Sequence, residues 1–332
     1  MNQSMMEKEA LSSPEVISNQ INNNNILIRE IGKKISLFEP KMIMLIGRGS
    51  SDNAGLFAKY LFEIETGIPT FSSALSIVSA YKRDIKLEHA LVILISQSGK
   101  SPDLVEQIKM AKSSGAYCIA IVNELDGQVC DYADDVIPMH AGKEVSVAAT
   151  KSFTATLSVL MHLVASWQAD EKLTIALRDL PAMLANVANA EQKILAQDLK
   201  GVQKLIVLSR GLGFPIAKEI ALKLKEVCGI QAEAYSSAEF LHGPIAIVNQ
   251  NTVVLDCMVL DETAIFHKEH LQKVVSMGGK IFRLYEDGKQ PYSRLIPLLI
   301  LQNFYLDIAR ASVAMGLNPD VPVGLSKVTK TL

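Results

Sequence analysis

The chain has 332 residues, 49% of them apolar, and a formal net charge of −2. That is enough apolar mass for two domain cores, and the balance excludes the basic field a nucleic-acid binder needs. The apolar run "LIPLLIL" (Leu295–Leu301) is far short of the roughly 18 residues of a membrane span, so no membrane partner is expected. Met1–Ser12 is polar and charged and does not read as a secretory signal. Cys118, Cys130, Cys228 and Cys257 form no C-x-x-C pair, which predicts reduced thiols in a cytoplasmic protein. His267 and His270 lie in a charged "HKEH" that reads as a solvated helix face, and no metal is implied.

In chain order, "MIMLIG" (Met42–Gly47), a helix after Asp52, "ALVILIS" (Ala90–Ser96), a helix to Ser114 and "YCIAIVN" (Tyr117–Asn123) alternate as βαβ units. Such alternation predicts a parallel sheet with helices on both faces. A second series opens at "KLIVLSRG" (Lys204–Gly211). An offset of 162 residues, Arg48 to Arg210, also sets Gly67-Ile68 on Gly229-Ile230 and "LVILIS" on "VVLDCM" (Val253–Met258). The chain is one unit written twice. Between the copies, "FTATLSVLMHLVASW" (Phe153–Trp167) and the Ala- and Leu-rich stretch to Lys200 predict an antiparallel helical pair. His162 lies within that apolar stripe and is expected to be a packed core residue.

The first copy's second strand empties into "SQSGKSPD" (Ser96–Asp103). Ser101, Pro102 and Asp103 suit a helix N-terminus, as N-cap, first helical residue and acid at the positive end of the dipole. A cap leaves Ser96, Gln97 and Ser98 unexplained. The alternative is an anion cradle of short hydroxyls and backbone N–H groups at a helix start. The second copy has Met258-Val259-Leu260-Asp261-Glu262-Thr263 at the same place, and a generic turn requirement would apply to both, so the cradle reading gains. A nucleoside-triphosphate loop is ruled out because the glycine it needs before "GKS" is Leu94. A dinucleotide turn at "GRG" (Gly47–Gly49) fails because position 52 is Asp. Ser50-Ser51, at the end of the first strand, could reach the same anion.

In the second copy, Ile216–Cys228 reads as a helix whose Ile216, Ile220, Lys223 and Val227 share one face. Lys223 therefore lies on the apolar stripe one turn from Glu226, as a structural ion pair or as a tuned acid–base pair. Lys218 and Lys225 read as solvated charges. His242 precedes a rigid Gly-Pro turn, follows Glu233 and Glu239, and opens what reads as another apolar strand.

"SQSGKSPD", "EVSVAATKSFT" (Glu144–Thr154), "ALKLKEVCGIQAEAYSSAEFLHGP" (Ala221–Pro244) and "GLSKVTKTL" (Gly324–Leu332) resemble the double sugar-isomerase (SIS) domain family. The likeness covers nearly the whole chain, from "MMEKEALSSPEVI" (Met5–Ile17) onward, and is strongest to the isomerase half of glucosamine-6-phosphate synthase and to glucosamine-6-phosphate deaminases. It implies an α/β fold of two tandem SIS subdomains, each a flavodoxin-like three-layer parallel sheet. The expected organisation is an N-terminal helical segment (1–35), a first SIS domain with the cradle (36–165), a helical linker (166–200), a second SIS domain with the acid–base residues (201–318) and an active-site tail (319–332).

Position by position, the resemblance puts the substrate phosphate on Ser51, Ser96, Gln97, Ser98 and Ser101. It makes Glu226 the proton-transfer carboxylate with Lys223 as its helper, and His242 the ring-opening residue, contributed across the interface of a homodimer. Lys327 is implied to meet the open-chain carbonyl. No metal or redox cofactor is implied. Residue 2 is Asn and the first cysteine is Cys118, so a glutaminase domain with an exposed cysteine is not expected. Val323 stands where the synthases carry a cation, the tail reading "PVGLSKV" against their "PRNLAKS". The expected activity is an isomerising deaminase converting glucosamine 6-phosphate to fructose 6-phosphate and ammonia. The alternatives are a fructosamine-6-phosphate deglycase and, from another class, a non-catalytic sugar-phosphate sensor.

Overall fold

A computed structural model describes residues 3–284 and 291–327. Among them the chain forms two compact units. One comprises 15–144 and 151–181; the other comprises 3–14, 145–150 and 182–327, so the N-terminal residues and the short 145–150 loop belong with the second half of the chain.

The first unit is built on five parallel strands: β1 (Met42–Ile46), β2 (Thr70–Ser72), β3 (Ala90–Ser96), β4 (Tyr117–Val122) and β5 (Asp135–Pro138). Their order is β2-β1-β3-β4-β5, with all pairings parallel. β3 is central and every one of its residues is buried, which explains its unbroken apolar run. The side chains of Met44, Val92, Leu94, Ala120 and Val122 form a core with the Pro102–Ser113 helix. Helix Ser50–Thr66 packs on helix Lys151–Trp167, within which His162 is buried as expected and has its pKa pushed down to about 4 by that burial.

The second unit repeats the plan with β6 (Lys204–Ser209), β7 (Gln231–Ser236), β8 (Val253–Asp256) and β9 (Lys280–Arg283), in the parallel order β7-β6-β8-β9. The internal repeat is visible in the backbone. β1 and β6 start 162 residues apart, and the helices after them, Ser50–Thr66 and Gly213–Cys228, both end on a left-handed glycine, Gly67 (φ 69°) and Gly229 (φ 64°). Only glycine takes that conformation without cost, so the sequence duplication is a duplicated stop signal.

One element differs from expectation. The apolar "PIAIV" after His242 is a tight 3₁₀ turn over Pro244–Ile247, not a strand, and β8 begins only at Val253. Pro244 lacks the N–H a ladder needs and fixes φ, so the chain turns there. No described helix is long and apolar enough to cross a membrane, and the four cysteines are free.

Candidate active site

In the first unit, β1 and β3 are adjacent parallel strands, and the chain leaves them in opposite directions along the sheet. This switch point is where open α/β sheets leave a crevice beyond their carboxyl ends. Ser51 lies there in the first turn of the helix after β1. A Cβ on Gly47 would stand 2.7 Å from the Ser51 carbonyl oxygen, so glycine is what lets the loop close.

Ser96 is the last residue of β3, and its Oγ accepts from the Gly99 N–H at 3.0 Å. Ser98 is buried, with its Oγ 3.4 Å from the Lys100 N–H. Gln97 is tied to the neighbouring loop: its carbonyl accepts from the Asn123 and Glu124 N–H groups, and its amide donates to Glu124 at 3.2 Å. Gly99 has φ +64°, and a Cβ there would meet Val129 at 2.9 Å. Lys100 is held outward by Glu124 (2.8 Å) and Asp126 (3.0 Å), and hydrogen bonds to those carboxylates raise its pKa.

Ser101 occupies the N-cap position of helix Pro102–Ser113, but its side chain makes no cap hydrogen bond. The helix start does not consume that hydroxyl. Asp103 does more than face a dipole: it is buried and takes the Arg48 guanidinium at 2.5 Å, tying the loop after β1 to the first turn of the helix after β3. Sequence reading missed Arg48, which stood inside the rejected "GRG". The clue was the acid 55 residues away, a pairing no local spacing reveals.

In the second unit, Gly213–Cys228 carries the acid–base residues. Lys223 is 1% exposed, and its Nζ lies 2.5 Å from Glu226 and 3.3 Å from Glu219. Burial acts to lower the lysine pKa, but the two carboxylates outweigh it and the net direction is upward. Lys223 is therefore a fixed cation. Glu219 is fully buried, with the Tyr305 hydroxyl 3.5 Å away. Glu226 alone reaches the surface, its side chain 20% exposed. Sequence reading found the Lys223–Glu226 spacing and missed Glu219, although Glu219 precedes Lys223 by one turn. Lys225, read as solvated, also donates to the Ala232 carbonyl at 2.9 Å.

His242 caps the short helix Ser237–Leu241 and is exposed ahead of the Gly243-Pro244 turn. Lys327 is half-buried and donates from Nζ to the Ser146 carbonyl at 2.7 Å. Of the expected tail, residues 328–332 lie outside the described residues. Its approach is anchored: the Asp320 carboxylate accepts from the Met5 and Met6 N–H groups at 2.9 and 2.8 Å. The "HKEH" reading is corrected. His267 is buried with Nε2 2.9 Å from Asp256, and His270 Nδ1 lies 3.0 Å from Ser237 Oγ. The charged neighbours Lys268 and Glu269 concealed one inward position on that helix. Among the described residues no cluster of three or more metal-ligating side chains occurs.

Comparison with known proteins gives three findings. The SIS domain matches residues 36–166. The chain is 33% identical over 349 residues to the Legionella pneumophila (strain Lens) glutamine–fructose-6-phosphate aminotransferase (isomerizing), covering 97% of this chain and 57% of that protein; it thus spans about half the length of the curated relatives it matches. Among solved structures, a Silicibacter pomeroyi protein described as a candidate phosphosugar isomerase superposes with a TM-score of 0.91 at 30% identity, covering 96% of this chain and all of the other. The C-terminal domain of glucosamine-fructose-6-phosphate aminotransferase from Francisella tularensis superposes with a TM-score of 0.84 at 26% identity, over 97% and 99% of the two chains.

Proposed function

The chain belongs to the SIS domain family, and from that premise we propose that it is a phosphosugar isomerase acting on aminosugar phosphates, an isomerising deaminase that converts glucosamine 6-phosphate to fructose 6-phosphate and ammonia. The observation that carries this reading is Lys223, a fully buried cation fixed between Glu219 and Glu226 with only Glu226 reaching the surface. Burying Lys223 and Glu219 completely, with Glu226 largely covered, costs stability that an apolar packing would not, which is a signature of function.

The hydroxyls of Ser51, Ser96, Ser98 and Ser101, with Gln97 and the backbone N–H groups of the helix start, hold the substrate phosphate and so fix the sugar. His242, contributed across a homodimer interface, moves the proton that opens the ring. Glu226 takes the proton from C2 and returns it to C1, while the C1 oxygen gains a proton and the amine nitrogen gives one up, so that the aldehyde becomes an alcohol and the amine-bearing carbon an imine. Lys223 holds that carboxylate in place and stabilises the negative charge that develops at the sugar oxygen. Water adds to the imine carbon and the C–N bond breaks, leaving the ketose and ammonia. Lys327 meets the open-chain carbonyl.

The test is incubation of the pure protein with glucosamine 6-phosphate while ammonia and fructose 6-phosphate are followed together. Their joint appearance supports the reading. Release of free amine from a fructosamine 6-phosphate, with no ammonia from the aminosugar, replaces it with the deglycase. Saturable binding of either sugar phosphate without turnover replaces it with a sensor.

A further inference from the structure

The N-terminal helix Met5–Leu11 carries a buried carboxylate that the chemistry above does not use. Glu9 is 5% exposed, and it has no cation within ion-pair distance among the described residues. Its two oxygens are instead spent on one short loop far away in sequence. Oε1 accepts from the Val145 N–H at 2.5 Å, and Oε2 accepts from the Ser146 N–H at 3.2 Å and from the Ser146 hydroxyl. A buried carboxylate taking three donors from two consecutive residues fixes that backbone far more firmly than a packing contact would.

The same loop holds Lys327. The Ser146 carbonyl, one peptide from the groups Glu9 grips, accepts from Lys327 Nζ at 2.7 Å. The next residue, Val147, donates its N–H to the Asp320 carbonyl at 3.0 Å, and Asp320 in turn caps Met5 and Met6. Helix Met5–Leu11 is itself held down by Glu7 on Arg310 (2.8 Å) and by the Ala10 carbonyl, which accepts from Gln302 at 3.0 Å. Three segments, each more than a hundred residues from it in sequence, therefore meet on this seven-residue N-terminal helix.

We infer that Glu9 is a positioning residue: it sets the Val145–Ser146 backbone that seats Lys327, and so fixes where the tail presents its ammonium. Its consequence for turnover rests on the role proposed for Lys327. Its structural consequence does not.

The test uses the full-length protein and two readouts. Glu9→Gln keeps the size of the side chain, but its amide nitrogen faces donors and cannot accept from them. Limited trypsinolysis, resolved by mass spectrometry, should show cleavage after Lys327 at least fivefold faster in Glu9→Gln, with other cleavage sites unchanged. Turnover of glucosamine 6-phosphate should fall at least tenfold in kcat, with KM changed less than twofold. Ser146→Ala, which removes only the hydroxyl link, should give a smaller change in the same directions, and Glu9→Asp should recover part of the loss. An unchanged cleavage rate after Lys327 in both Glu9→Gln and Ser146→Ala overturns the inference, as does acceleration at every site alike, which would mean general loosening. If the wild type releases no ammonia while the Lys327 site still becomes exposed selectively, the positioning role stands and the deaminase reading falls.

Discussion

The two copies of the repeat use the same backbone for opposite purposes. At the strand end of the first, Ser96, Ser98 and Ser101 present hydroxyls. The corresponding residues of the second are Met258, Leu260 and Thr263, and its end is filled by its own side chains. A Cβ on Gly211 would meet Thr263 at 3.0 Å, the Ser209 hydroxyl donates to the Cys257 carbonyl at 2.6 Å, and Asp256 is buried between His267 (2.9 Å) and Arg283 (3.0 Å). The helices after the first strand of each copy are reversed in the same sense. Where the second copy has Glu219, Lys223 and Glu226, the first has Phe57, Leu61 and Ile64 at the same offset. Phe57 and Leu61 are wholly buried, as Glu219 and Lys223 are. One face of one helix thus accepts either an apolar stripe or a charged trio. The copies differ in where their polar groups go: hydroxyls at the strand end of the first, and a buried charge set on the helix of the second.

The largest effect is expected at Glu226. Glu226→Gln keeps the shape and removes the base, so it should fold normally and lose about 10²–10⁴-fold in kcat, the range of general acid–base catalysis. A folded variant that still exchanges the C2 proton of glucosamine 6-phosphate with solvent at the wild-type rate would take Glu226 out of the mechanism.

Next is the trio as a structural element. Lys223→Met alone takes the cation away from the buried Glu219 carboxylate and should cost about 3–5 kcal/mol in urea unfolding. Making the face resemble the first copy, with Glu219→Met and Lys223→Leu together, should restore wild-type stability or exceed it while leaving the protein inactive. The wild type should also respond to alkali in a way the double variant does not. Lys223 has its pKa raised above the ordinary 10.5, so it contributes stability fully below that value and loses it as pH climbs through the higher folded one. If the double variant is as unstable as Lys223→Met, the two helices are not interchangeable scaffolds.

Smaller effects are expected at the strand ends. Ser98→Ala should raise KM for the sugar phosphate about tenfold and leave kcat within a few-fold, the cost of one charge-assisted hydrogen bond of roughly 1.5–3 kcal/mol. The smallest change belongs to Thr263→Ala, at the counterpart of Ser101, where KM should move less than twofold. Equal KM changes at the two strand ends would erase the distinction between them.

What the sequence disclosed followed local spacing. The βαβ alternation, the offset of 162 residues and the Lys223–Glu226 stripe are periodic patterns that survive folding unchanged. Arg48 on Asp103 and Glu9 on Ser146 were illegible because their partners lie 55 and 137 residues away, and a lone charge reads as solvated until its partner is known. His267 failed for a related reason: charged neighbours on a helix say little about the one position that turns inward. "PIAIV" misled because apolar content outweighed the proline that forbids a ladder.

Turnover of glucosamine 6-phosphate in D2O tests the central claim most directly, with ammonia, fructose 6-phosphate and deuterium at C1 of the ketose read in one sample. Ammonia and fructose 6-phosphate should appear in equal amounts, with solvent deuterium at C1 in part of the product, and Glu226→Gln should slow the appearance of all three signals together by about 10²–10⁴-fold. Fructose 6-phosphate and ammonia formed as fast by Glu226→Gln as by the wild type, or no ammonia from the wild type at all, would contradict the account.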